Sequence, residues 1–165
     1  MYRKIEDFVT DWAYETEMTL KIFNALSDES LVQNFHNEHR TLGRLAWHIT
    51  QTLTEMTHQA GLPMEVLSDM PENLTASKLA ETFAKDAEAV KEAVIANWTD
   101  ANLTDKVQMY GEEWTKGLVL SILIRHQAHH RGQMTILMRQ AGLVVIGVYG
   151  PAKEEWAAMG IPAMA

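Results

Sequence analysis

Apolar side chains at Ile5, Phe8, Val9, Trp12, Ile22, Phe23 and Leu26, with Thr19 in phase, recur at helical spacing and predict a first helix that stops at Ser27-Asp28. The polar stretch from about Ser27 to Arg40, with Asn34 and Asn37, reads as a loop with a short turn around Leu31. Thr41 is placed as an N-cap, and Leu42, Leu45, Ile49, Leu53, Met56 and Ala60 carry a second helix to Gly61 and Pro63. The run from Met64 to Leu74, with Asp69, Pro71 and Asn73, is a connection leading to a second cap, Thr75. Leu79, Phe83, Ala87, Val90 and Val94 form the stripe of a third helix, with Lys85, Glu88, Lys91 and Glu92 on its wet side, and Asn97-Trp98-Thr99-Asp100 ends it.

Leu103 to Met109 alternates loosely and reads as extended, followed by a turn at Tyr110-Gly111-Glu112-Glu113. A fourth helix runs from about Thr115 to Gln140, with Gly142 as its C-terminal cap. Gly132 inside it costs about 1 kcal/mol relative to alanine, so a close helix crossing or an approaching ligand is expected to compensate. In the tail, Pro151 opens and Gly160 closes a short helix containing Trp156. The pattern predicts an all-α fold: an antiparallel four-helix bundle with a short C-terminal helix, in one domain over residues 1–165. Trp12, Trp47, Trp114, Trp156 and the ten methionines are expected in the core and at interfaces.

Composition narrows the function classes. With 14 Lys+Arg against 22 Asp+Glu the chain carries a net charge of −8, and its nearest approach to a basic patch, His36, His39 and Arg40, has Glu38 among it. Such a surface repels a phosphate backbone, so no nucleic-acid partner is expected. No apolar stretch is long enough to span a bilayer and the N-terminus has no signal-peptide core, which predicts a cytoplasmic protein with no membrane partner. Zero cysteines exclude disulfides, a cysteine nucleophile and thiolate ligands, so a bound metal must be held by imidazole, carboxylate or water.

The run Arg125-His-Gln-Ala-His-His-Arg-Gly-Gln-Met134 concentrates the candidate chemistry. His126 and His130, four apart on a helix, share one face and can converge on a divalent ion, as the histidines of a His-Glu-x-x-His helix do. The intervening residues are Gln127, Ala128 and His129, so the glutamate base of those peptidases is missing. His126 with His129, three apart, also fits one ion, and spacing does not choose between the pairs. For a third ligand the candidates are His36, His39, His48, His58 and Glu55; His48, bordering the buried stripe of the second helix, is best placed. The bland alternative for His48 is a buried imidazole bonded to a carbonyl oxygen.

Arg40-Thr-Leu-Gly-Arg-Leu-Ala-Trp-His-Ile49, His126-Gln-Ala-His-His-Arg-Gly-Gln133 and Gly147-Val-Tyr-Gly-Pro151 together resemble the DinB family of DNA-damage-inducible proteins, over nearly the whole chain. The resemblance implies a four-helix bundle with a three-histidine metal site at His48, His126 and His130, leaving His129 a neighbour and placing Arg131 and Gln133 in supporting or helix-packing roles. It implies zinc or nickel as the ion, a homodimer, and a small-molecule substrate. Related branches include bacillithiol S-transferases, mycothiol-dependent isomerases and proteins labelled metal-dependent hydrolases. A transferase using a low-molecular-weight thiol is therefore the first expectation. Hydrolysis with Glu55 or Glu15 as proton acceptor is the second, and a non-catalytic metal-binding or stress-related protein is the third.

Overall fold

The computed structural model describes residues 1–36 and 38–162; Asn37 of the expected loop and residues 163–165 of the expected domain lie outside the described residues. Four helices dominate: α1 (Ile5–Asn24), α2 (Leu42–Gln59), α3 (Ala76–Asn97) and α4 (Lys116–Gln140). Two begin where the sequence places a threonine cap, and α4 begins just after Thr115, its expected start. The hydroxyls of Thr41, Thr75 and Thr115 accept from the backbone N–H groups of Arg44 (3.1 Å), Lys78 (3.1 Å) and Leu118 (3.2 Å). These bonds satisfy donors that a helix start leaves orphaned. Two helix starts also borrow carboxylates from distant turns: Asp100 accepts from Ile5 N–H at 2.8 Å and Asp28 from Ala76 N–H at 2.7 Å. Asp28 and Asp100 belong to 3-10 turns, Asp28–Val32 and Asp100–Thr104, so each turn ties a helix start to the body of the bundle.

In the bundle α1 packs on α3 and α4, and α2 packs on the same two, so α1 and α2 face each other across the diagonal. The α1–α3 and α2–α4 pairs run antiparallel, whereas α1–α4 and α2–α3 run parallel. The parallel pairing follows from the segment joining α2 to α3, which doubles back along α2. His58 Nδ1 donates to Met64 O at 2.9 Å, Leu67 N–H to Thr54 Oγ1 at 3.1 Å and Trp47 Nε1 to Ser68 O at 3.3 Å. The chain thus returns to the end where α2 began before starting α3. Phe8, Trp12, Phe23, Ile49, Leu53, Phe83 and Leu120 are among the fully buried side chains between the helices. Trp12, Trp47 and Trp98 are buried, but Trp114 and Trp156 are only half-buried.

Three local expectations are revised. The extended piece is one arm of a hairpin, β1 (Lys106–Met109) paired antiparallel with β2 (Glu112–Thr115), so Glu112 and Glu113 belong to a strand. The turn is Tyr110-Gly111 alone, both at positive φ (53° and 85°), as a two-residue hairpin connection requires. Gly132 is exposed and a Cβ there would meet nothing within 4 Å, so no close crossing offsets its helix cost. The close approaches fall at Gly43, against Leu31, and at Gly117, against the backbone of Tyr2 and Leu103. The C-terminal helix is a single 3-10 turn, Lys153–Glu155, where the Glu155 carboxylate accepts from the N–H groups of Gly147 (3.0 Å) and Ala152 (2.7 Å).

Candidate metal centre

The contact between α2 and α4 brings His48, His126 and His130 together, with ligand atoms all within 4.8 Å of one another. His126 Nε2 lies 3.2 Å from His48 Nε2 and 3.1 Å from His130 Nε2. The antiparallel α2–α4 packing sets one imidazole of α2 against two that are a turn apart on α4. His48 therefore faces two other imidazoles, and the carbonyl-bonded alternative is not what the structure shows.

The outer ring nitrogens explain why this arrangement suits a cation. His130 Nδ1 lies 2.7 Å from Gln133 Oε1, an acceptor, which assigns the proton to Nδ1 and leaves a lone pair on Nε2. Thr52 Oγ1 donates its hydrogen to backbone carbonyls of α2 at 2.9 Å, so it can only accept from His126 Nδ1, 3.4 Å away. His126 Nε2 then also presents a lone pair. Two lone pairs 3.1 Å apart repel unless a proton or a cation lies near them. Outer N–H groups anchored to oxygen acceptors are the usual support of metal-binding imidazoles. The donor set therefore fits a divalent ion held by three neutral imidazoles.

Electrostatics reinforce the neutral state. Burial, then the charge of Arg40 and the proximity of the other two imidazoles, push His48 down to about 4. Burial and then His130 push His126 down to about 4, and burial chiefly lowers His130. Each imidazole feels Arg40, His48 also feels Arg44, and among the described residues no carboxylate belongs to the cluster. In the unfolded chain the same groups titrate near 6.5. Between about pH 6.5 and 4 the unfolded state therefore takes up protons that the fold refuses, and the metal-free protein is expected to lose stability as pH falls through that window. Denaturant midpoints measured from pH 7.5 to 4.5 check this; the slope should shrink in His48→Asn and His126→Asn.

The remaining sequence candidates fall elsewhere. His129 is exposed and its Nε2 accepts from Gln133 Nε2 at 3.2 Å. His36 and His39 pair with each other on the exposed loop, and His58 is exposed and bonded to Met64 O. Glu55 accepts from Tyr110 OH at 3.4 Å. Glu15 forms a buried ion pair with Arg131, and Tyr149 OH donates to the same carboxylate at 2.8 Å. Sequence reasoning missed Thr52 and the influence of Arg40 and Arg44; Thr52, one turn beyond His48 on the same face, was within reach of the helical spacing.

The DinB family profile matches residues 1–164. An uncharacterized Bacillus subtilis protein, YrdA, is 40% identical over 164 residues, covering 99% of this chain and 98% of that protein. The crystal structure of a DinB-like protein from Bacillus cereus superposes with a TM-score of 0.86 at 45% identity, covering 90% of this chain and all of the other. That of a second DinB-like protein, from B. subtilis, has a TM-score of 0.67 at 14% identity, covers 88% of this chain and 99% of the other, and shares the fold. With its profile match, its close relatives and its four-helix architecture in agreement, the chain belongs to the DinB family.

Proposed function

We propose that His48, His126 and His130 hold a divalent ion, zinc or nickel, and that the protein is a metal-dependent enzyme for small molecules, most concretely a transferase that joins an exogenous low-molecular-weight thiol to an electrophile. The observation that carries this reading is the set of converging imidazole nitrogens, a cluster that among the described residues contains no carboxylate. A divalent ion held by His48, His126 and His130 would supply Lewis-acid activation, lowering the pKa of a thiol or water bound to it. With no cysteine in the chain, the sulfur must come from outside. The new C–S bond forms with the sulfur's electron pair as the bond from carbon to a leaving group, or to the oxygen of an epoxide, breaks with its pair going to that atom; the thiol proton passes to solvent, and an opened epoxide oxygen takes one up.

The chain's contribution is positional. Gln133 and Thr52 fix the ring orientations of His130 and His126, and the packed α2–α4 contact holds the three rings without rearrangement. Hydrolysis is less well supported, since Glu15 is committed to Arg131 and Tyr149, Glu55 is bonded to Tyr110, and neither acts on the imidazoles. A groove of about 700 Å³ beside Gln133 favours catalysis over a purely structural ion.

Metal removal is expected to abolish turnover of a thiol with a chlorinated aromatic or an epoxide, and zinc or nickel should restore it. In the loaded protein the rate should level off at a pH below the free thiol's value of about 8.5. Stopped assays with bacillithiol, glutathione and coenzyme A check this. Inactivity with all three alongside hydrolysis of a test ester would replace the transferase reading.

A further inference from the structure

The groove that reaches the cluster through Gln133 has a composition that the metal centre alone does not explain. It is bordered by Phe35 and Ile136, both strongly exposed at 74% and 58%, by the buried Leu137, and by Gln133, whose amide holds His130. Arg40 lines the same groove, and its charge reaches all three imidazoles. Among the described residues Arg40 forms no ion pair or side-chain hydrogen bond, and Arg44 Nη1 is buried without any partner. Glu38 also lines the groove, but it forms no ion pair with Arg40, and among the described residues no carboxylate joins the three imidazoles. Three neutral ligands leave the charge of a divalent ion uncompensated, and the exposed Arg40 guanidinium, unpaired among the described residues, adds to it. A site so charged, opening onto an apolar wall, lacks an anion that the chain does not supply.

We propose that Arg40 forms an anion subsite in the groove next to the three-histidine cluster, and that the substrate class is an amphiphilic anion. Its apolar body lies along Phe35 and Ile136, and its carboxylate, sulfonate or phosphate pairs with Arg40. This deepens the metal-enzyme reading and rests on it for the position of the reacting group. The anionic end can belong to the thiol or to its electrophile.

The test uses zinc-loaded protein titrated calorimetrically with 4-phenylbutane-1-sulfonate and with the uncharged 4-phenylbutan-1-ol; a sulfonate is a poor metal ligand, so its charge reports on Arg40. The sulfonate is expected to bind about tenfold more tightly than the alcohol, a preference that weakens with added salt. Arg40→Gln should bring the two affinities together while leaving metal content, melting temperature and affinity for the alcohol unchanged, and Arg40→Lys should keep part of the preference. Equal affinities, no binding of either compound, or a preference that survives Arg40→Gln overturns the subsite. Comparing 3-mercaptopropionate with 2-mercaptoethanol in the cobalt-substituted protein then assigns the anion: an Arg40-dependent preference for the former places it on the thiol, and no preference places it on the electrophile. The two readings fail separately, because an Arg40-dependent sulfonate preference in a protein inactive with every thiol keeps the subsite and removes the transferase.

Discussion

His48→Ala and His130→Ala are each expected to abolish stoichiometric binding of a divalent metal, whereas His129→Ala should retain it. Only the first two remove a nitrogen from the converging set; the His129 ring points to solvent and meets Gln133. Two remaining imidazoles rarely hold an ion alone. Between these extremes, Gln133→Ala keeps all three ligands but frees His130 Nδ1, and affinity is expected to fall about 10- to 100-fold. Metal content of the purified variants, followed by competition against a chromophoric chelator, separates the three classes. If His129→Ala lost the ion while His130→Ala kept it, the site would have to be rebuilt around the exposed ring.

The second large effect concerns stability. Arg131 and Glu15 are almost fully buried, with 3% and 8% of their side chains exposed. Arg131 Nη1 also donates to Thr19 Oγ1 at 2.9 Å and to Glu15 O at 3.0 Å, and Nη2 donates to Tyr149 OH at 2.7 Å. Arg131→Ala strands the Glu15 carboxylate in the interior, and is expected to cost about 3–5 kcal/mol, because the penalty of an unpaired buried charge exceeds the net worth of the pair. At this chain length that corresponds to a melting temperature lower by roughly 6–20 °C, readable by calorimetry. Replacing both partners, Glu15→Leu with Arg131→Met, should recover much of the loss. A pair that was merely decorative would show single-variant losses below about 1 kcal/mol.

Much of this architecture was legible in the sequence because helices announce themselves locally. Thr41, Thr75 and Thr115 cap helices that begin one residue later, and the apolar stripes of α2 and α3 are the buried faces. The hairpin was less visible, since Tyr110-Gly111 is not the Asn-Gly or Asp-Gly pair that marks such a turn. At the cluster, the spacing of His126, His129 and His130 left two pairings open, as both fit one helix turn. Only the position of α2 against α4 selects the face carrying His126 and His130, and that is a fact of tertiary packing. Arg40 registered in the sequence only as part of a weak basic patch: it precedes the helix that carries His48, and nothing in its neighbourhood along the chain shows that its charge reaches histidines from α4.

The segment that doubles back along α2 also bears on how the molecule assembles. Because of it, α1 and α2 lie across the diagonal from each other, and so do α3 and α4. Neither half of the chain contains an adjacent antiparallel helix hairpin that could close first and template the rest. The antiparallel contacts, α1 with α3 and α2 with α4, each skip over an intervening helix. Loop closure must therefore be paid over long separations before packing returns anything, which raises the contact order above that of a bundle built from successive hairpins. For an all-helical chain of this size, slow folding as a single cooperative unit follows from that route.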